Sequence, residues 1–183
     1  MSRFGDVIRS LVSSAIGRST TPSRQTPSPS PHAEGKTAAS GMEEPGRFGD
    51  SATVEVDPAA IGRVRMTYVP STDGDPDPGE IVWTWVPFEE RDGRGKDRPV
   101  LIVAEEPGGT RLAVQLTSKP HDGSRDYIPV GSGPWDAQGR QSWANIDRVF
   151  RVLPAGMRRE ASAIDKSAFV RVAAALRDLY GWH

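Results

Sequence analysis

Cysteine is absent from this 183-residue chain, which excludes disulfides and thiolate metal sites. Histidine occurs three times, widely scattered, and that argues against a zinc site built on imidazoles. An excess of one charge is also missing, because 23 Lys and Arg against 24 Asp and Glu leave a net charge of −1. Such a chain casts no overall field to draw in nucleic acid, so any binding of that kind must come from a local patch. No run approaches the roughly 18 apolar residues that a membrane span needs. Hydrophobic residues are sparse, at 36%, while Gly and Pro number 19 and 16. That balance fits one folded domain diluted by a segment with too little apolar surface to build a core.

Residues 1–18 carry Phe4, Val7, Ile8, Leu11, Val12 and Ile16 at the spacing of one helix face. They read as an amphipathic helix for docking or a membrane surface, or as a short helix that frays alone. The segment makes a poor signal peptide because Arg9 and Ser10 interrupt its apolar run. Residues 19–51 are rich in Ser, Thr, Pro and Gly and read as a disordered linker sampling extended, polyproline-like states. Residues 52–76 hold extra strands and a connector. Val54 and Val56 alternate with polar residues, and Gly62 to Pro70 alternates as an edge strand with Val64, Met66 and Tyr68 on one face. An acidic, turn-rich connector, residues 71–78, follows.

The domain proper, residues 77–183, is organised around the stretch Gly79 to Ala104. Ile81, Trp83 and Trp85 alternate with Val82, Thr84 and Val86, as in a strand. Val100 to Ala104 is short and apolar throughout, as in a strand buried on both faces, with Pro99 at its first position. Arg98 is then a cation held where a loop meets a rigid strand. Between them the run EERDGRGKD, residues 89–97, reads as a lid or as a solvated hairpin loop. Arg111 to Thr117 alternates with Leu112, Val114 and Leu116 inward, Tyr127 to Val130 is a further strand, and residues 142–152 supply one or two more. A helix capped by Asp165 presents Phe169, Val172, Leu176 and Leu179 and ends at Gly181. Many short strands with one terminal helix predict a mainly β fold, a small barrel covered at one end.

Three pieces stand in order: Gly79-Glu80-Ile81-Val82-Trp83, Arg98-Pro99-Val100-Leu101-Ile102-Val103 and Val114-Gln115-Leu116-Thr117-Ser118. Together they resemble the PemK/MazF family of toxins from bacterial type II toxin–antitoxin pairs, and the resemblance runs from about residue 78 to the C-terminus. It implies an SH3-like small barrel with a C-terminal helix, often a homodimer, working in the cytoplasm. It also implies cleavage of single-stranded RNA without a metal or other cofactor, and inhibition by a cognate antitoxin. The segment ahead of residue 77 departs from the minimal family pattern.

In that reaction the ribose 2′-hydroxyl attacks the adjacent phosphate, which calls for a base, positive charge on the phosphorane and a proton for the leaving 5′-oxygen. The family's arginine falls on Arg98 and its threonine on Thr117. A guanidinium grips two phosphate oxygens, and a threonine hydroxyl donates to a non-bridging oxygen. Candidates for acid and base are Glu90, Asp92 and His121; Glu89 and Asp97 lie in the same loop. Lys96, Ser118, Lys119 and Trp135 are the candidate substrate-binding residues. Trp135 stacks on a base or packs over the barrel end, whereas Trp83, Trp85 and Trp143 read as core. Arg98 could instead be spent on an ion pair with Asp97. The cluster Arg148, Arg151, Arg158 and Arg159 follows an RNA backbone or forms a solvated face. Two other readings compete with the ribonuclease: a non-catalytic SH3-like module that binds protein or nucleic acid, and a toxin that inhibits DNA gyrase.

Overall fold

The two apolar runs around residues 81–104 become the middle of one sheet. The computed structural model describes residues 44–71 and 73–183, apart from the side chains of residues 159–161. The amphipathic run of residues 1–18 and the linker as far as residue 43 lie outside the described residues. In chain order the strands are β1 (Val54–Val56), β2 (Glu80–Pro87), β3 (Gly95–Glu105), β4 (Arg111–Thr117), β5 (Tyr127–Gly131), β6 (Ser142–Val152) and β7 (Arg158–Ala163), followed by helix α1 (Lys166–Tyr180). All pair antiparallel in the order β1-β6-β4-β3-β2-β7, with β5 also on β6. The end strands β1 and β7 do not pair with each other, so the expected small barrel is an open one.

Alternation along β3 and β4 divides the core between the two faces of the sheet. Leu101, Val103, Leu112, Val114 and Leu116 pack with Phe169, Val172 and Leu176 of α1. Val100, Ile102 and Ala113 pack with Val82, Val86, Phe150 and Val152 on the opposite face. The unbroken apolar run of β3 is thus explained by burial on both sides.

Several expectations need correction. β3 starts at Gly95, and Pro99 lies inside it opposite Trp83, so Arg98 belongs to a strand rather than a loop end. Gly62 to Pro70 keeps its predicted faces but joins no ladder. Its bonds go to the C-terminal residue instead, Met66 N–H to His183 O at 2.7 Å and His183 N–H to Val64 O at 2.9 Å. Residues 44–51 are not linker: Pro45 O accepts the Trp85 amide at 3.0 Å, extending the edge of β2. There Gly46 sits at φ +81°, and a Cβ would collide with Thr84 Oγ1, Thr53 Oγ1 and Gly156 O. Strand β7 was not foreseen, because Arg158-Arg-Glu-Ala-Ser-Ala163 carries no apolar alternation.

Helix α1 begins after Asp165, whose side chain makes no cap bond, and stops at Gly181 with φ +73°, its N–H bonded to Arg177 O at 2.8 Å. The reversal lets Trp182 turn back into the core, where it is fully buried. Leu179, assigned to the apolar stripe, is 50% exposed, because Trp182 closes that end of the helix. Leu176→Ala should therefore cost about 2–5 kcal/mol in urea unfolding. Leu179→Ala should cost about 0.5 kcal/mol. Equal losses would restore the longer stripe.

Candidate active site

Strand register builds the site. β2 and β3 pair Thr84 with Arg98, and β3 and β4 pair Val100 with Gln115. The β3–β4 ladder ends there, and Arg98 and Thr117 stand two residues beyond it on their strands. Directly opposed residues share a face, as do residues two apart along a strand, so both side chains emerge together beyond the core. Beneath them Thr84 is anchored: its hydroxyl donates to Gly156 O at 2.7 Å and lies 2.6 Å from Thr53 Oγ1.

Two clefts adjoin here. One, of about 450 Å³, is lined by Trp83, Lys96, Asp97, Ser118, Trp135, Asp136 and Arg140 among others. The other, of about 500 Å³, is lined by Phe88, Glu89, Glu90, Gln115, Lys119, His121, Tyr127 and Arg148. Arg98 and Thr117 line both, so they form the divide between two lobes.

Arg98 has no ion-pair partner among the described residues, and Asp97 is not spent on it. Asp97 binds Arg158 across the sheet at 2.6 Å, and the Arg158 guanidinium lies 5.5 Å over the Trp83 ring. Lys96 and Lys119 likewise form no ion pair with a described residue, so local positive charge survives on a nearly neutral chain. Thr117 Oγ1 accepts the Lys119 amide at 3.2 Å, which orients the hydroxyl and leaves its proton to donate.

Of the acid and base candidates, Glu90 and His121 line the second lobe, while Asp92 lines neither. The Arg94 amide, at 3.0 Å, and then the Arg94 guanidinium, at 2.7 Å, hold the Asp92 carboxyl below its ordinary range. A carboxylate stabilised in that way is a poor proton acceptor. Loop residues 88–94 form a hairpin turn, with Phe88 N–H bonded to Arg94 O at 3.0 Å and Pro87 paired with Gly95.

Lys96 and Ser118 face the first lobe and Lys119 the second. Trp135 is buried in the main core with its indole N–H on Ser142 Oγ at 3.1 Å, so it packs and walls the lobe instead of standing ready to stack. Trp143 is core as expected, but Trp83 and Trp85 are only half-buried, Trp83 on the first lobe and Trp85 under the Arg47 guanidinium at 4.4 Å. Of the basic cluster, the Arg159 side chain lies outside the described residues and the other three are not free, since Arg148 pairs with Glu55 at 2.6 Å, Arg151 with Glu106 at 2.6 Å and Arg158 with Asp97. In the first lobe Arg140 binds Asp136 at 2.9 Å and, against a smaller effect of burial, keeps its carboxyl below the usual range.

Sequence reasoning missed Tyr127 and the wall function of Arg148. His121 lies flat on Tyr127, with centroids 3.6 Å apart and planes 3° from parallel. The Tyr127 hydroxyl accepts from Asn145 Nδ2 at 3.3 Å. Burial, and then the charges of Glu89, Asp147 and Asp126, raise its pKa, so the ring stays a neutral phenol. Only the return of β5 onto β6 brings this tyrosine to the site, and no local pattern announces it. Among the described residues no cluster of His, Cys, Asp and Glu is arranged to hold a metal ion.

A family model described as PemK-like, MazF-like toxin of type II toxin-antitoxin system matches residues 77–180, more than half of the chain. No curated protein sequence matches the chain. Among solved structures, MazF from Deinococcus radiodurans is 19% identical, with 58% of this chain and 97% of that one covered and a TM-score of 0.45. A MazE-MazF crystal structure from the same organism is 19% identical, over 58% and 96% of the two chains, with a TM-score of 0.43. An endoribonuclease from a mycobacterial species is 16% identical, over 59% and 94%, with a TM-score of 0.42.

The wall of the second lobe carries its own pH dependence. Burial pushes the Glu55 carboxyl up, but the hydrogen bond and charge of Arg148, with those of Arg91, outweigh it and leave a net lowering from 4.5. A lowered carboxyl stabilises the fold above its unfolded pKa, and that stability is lost as pH falls through the folded value. Acid unfolding of the wild type should therefore steepen below about pH 4.5. Glu55→Gln should flatten that limb and lower stability at neutral pH by stranding Arg148; an unchanged pH–stability curve would remove the pair from the account.

Proposed function

This chain belongs to the PemK-like, MazF-like toxin family of type II toxin–antitoxin systems, and on that premise we propose that it is a metal-independent endoribonuclease of single-stranded RNA. The observation that carries the reading is the divide between the lobes: Arg98, without an ion-pair partner among the described residues, lines both clefts together with a Thr117 hydroxyl whose proton is available. RNA runs from one lobe to the other with the scissile phosphate over that divide.

The 2′-oxygen attacks phosphorus, forming the O2′–P bond, and the P–O5′ bond breaks. Arg98 holds the non-bridging oxygens and offsets the charge that grows on them. Thr117 donates to one of them from the end of a stiff strand. Both interactions strengthen as the phosphorane forms, which is where they accelerate the reaction. Glu90, on the second lobe, takes the 2′-hydroxyl proton, and the 5′-oxygen leaves with a proton from water, which the open cleft admits. The products are a 2′,3′-cyclic phosphate and a 5′-hydroxyl.

Lys96, Arg98 and Lys119 also make the cleft a receptor for an acidic segment. A cognate antitoxin supplying one would cover the site and compete with RNA.

Purified protein incubated with a long single-stranded RNA in EDTA should give discrete cuts ending in 2′,3′-cyclic phosphate. Arg98→Ala and Thr117→Ala should each lower the rate by about a hundredfold or more without loss of folding. No cutting by folded wild-type protein would move the reading to a non-catalytic binding module.

A further inference from the structure

The second lobe contains an aromatic arrangement that the phosphate chemistry does not use. Rings in proteins favour offset or edge-to-face geometry at about 4.5–7 Å. His121 and Tyr127 instead lie face to face at 3.6 Å and 3°. The pair is held from both ends. Tyr127 belongs to β5 and its hydroxyl is tied to Asn145. His121 is set by a turn in which its carbonyl accepts the Ser124 amide at 3.1 Å. Both rings are half-buried, and both line the lobe that begins at Arg98 and Thr117.

We propose that the His121–Tyr127 stack is a ledge for the nucleobase next to the scissile phosphate, extending two stacked rings to three. The assignment rests on the ribonuclease reading above for the position of the phosphate, but the base-binding property does not depend on cleavage. Stacking on fixed rings suits unpaired bases, which present a π-face that duplex RNA conceals. The neutral phenol of Tyr127 adds no negative charge beside the RNA backbone. His121 is thereby a binding and specificity residue rather than the proton carrier.

The test compares full-length wild type, His121→Ala and His121→Phe. A 2′-O-methyl oligonucleotide of mixed sequence, which lacks the nucleophile, reports binding by fluorescence anisotropy; a long unmodified RNA reports kcat, KM and the bases flanking each cut. His121→Ala should weaken oligonucleotide binding about tenfold. It should also relax the base preference beside the cut and raise KM by a larger factor than it lowers kcat. His121→Phe, which keeps a flat ring without a titratable nitrogen, should restore both. A His121→Phe protein as defective as His121→Ala, or a loss confined to kcat and rescued by added imidazole, would overturn the ledge in favour of proton transfer. Unchanged binding in His121→Ala would overturn it outright. Oligonucleotide binding that depends on His121 in a wild type that cuts no RNA would instead uphold the ledge and reject the ribonuclease reading.

Discussion

The register of β3 is the constraint on which the site depends. This strand pairs with β2 along Gly95 to Leu101 and with β4 along Val100 to Glu105, so its position is set twice over. Side chains alternate across the sheet, and a slip of one residue against either neighbour would exchange every face. It would turn Arg98 to the side where Leu101 and Val103 meet α1, and bring those leucine and valine side chains out of it. Burying an unpaired guanidinium there, while exposing the central apolar residues, makes the alternative pairing costly. The core thus holds Arg98 at the divide with Thr117.

The second constraint is electrostatic and concerns which cations are already taken. Arg111, Arg148, Arg151 and Arg158 are all matched to carboxylates on neighbouring elements. The overall charge of −1 therefore says little about the cleft, where Lys96, Arg98 and Lys119 stand without such partners among the described residues. Asp97 is decisive. As the chain neighbour of Arg98 it would be expected to neutralise it, yet adjacent residues in a strand point to opposite faces. Across the sheet Asp97 finds Arg158, delivered by β7. A local positive centre on a nearly neutral chain confines attraction for an anionic ligand to the cleft.

The segment ahead of the family domain contributes to this arrangement as well. Thr53, Thr84 and Gly156 share buried hydrogen bonds directly under the strand that carries Arg98's partner position, and Gly46 fits over them only because it lacks a side chain. Glu55 of β1 supplies the carboxylate that satisfies Arg148 at the wall of the second lobe. Residues 44–56 are therefore structural parts of the site's support.

The sequence by itself determined the strands around residues 81–104 and 111–117, the terminal helix with its glycine stop, and the pair Arg98 and Thr117 within the family pattern. These are legible because alternation, helical periodicity and turn residues are local properties, each decided within a few positions. Tertiary structure alone decided that Arg98 would have no ion-pair partner among the described residues, that Trp135 would pack rather than stack, that Trp182 rather than Leu179 would close the helix, and that Tyr127 would meet His121. Two of those outcomes turn on partners well separated in sequence, Arg158 for Asp97 and Asn145 for Tyr127, and Trp135 turns on Ser142 across the loop between β5 and β6. Local pattern carries no record of which distant group wins such a competition, since register and burial settle it only when the sheet closes around its two cores.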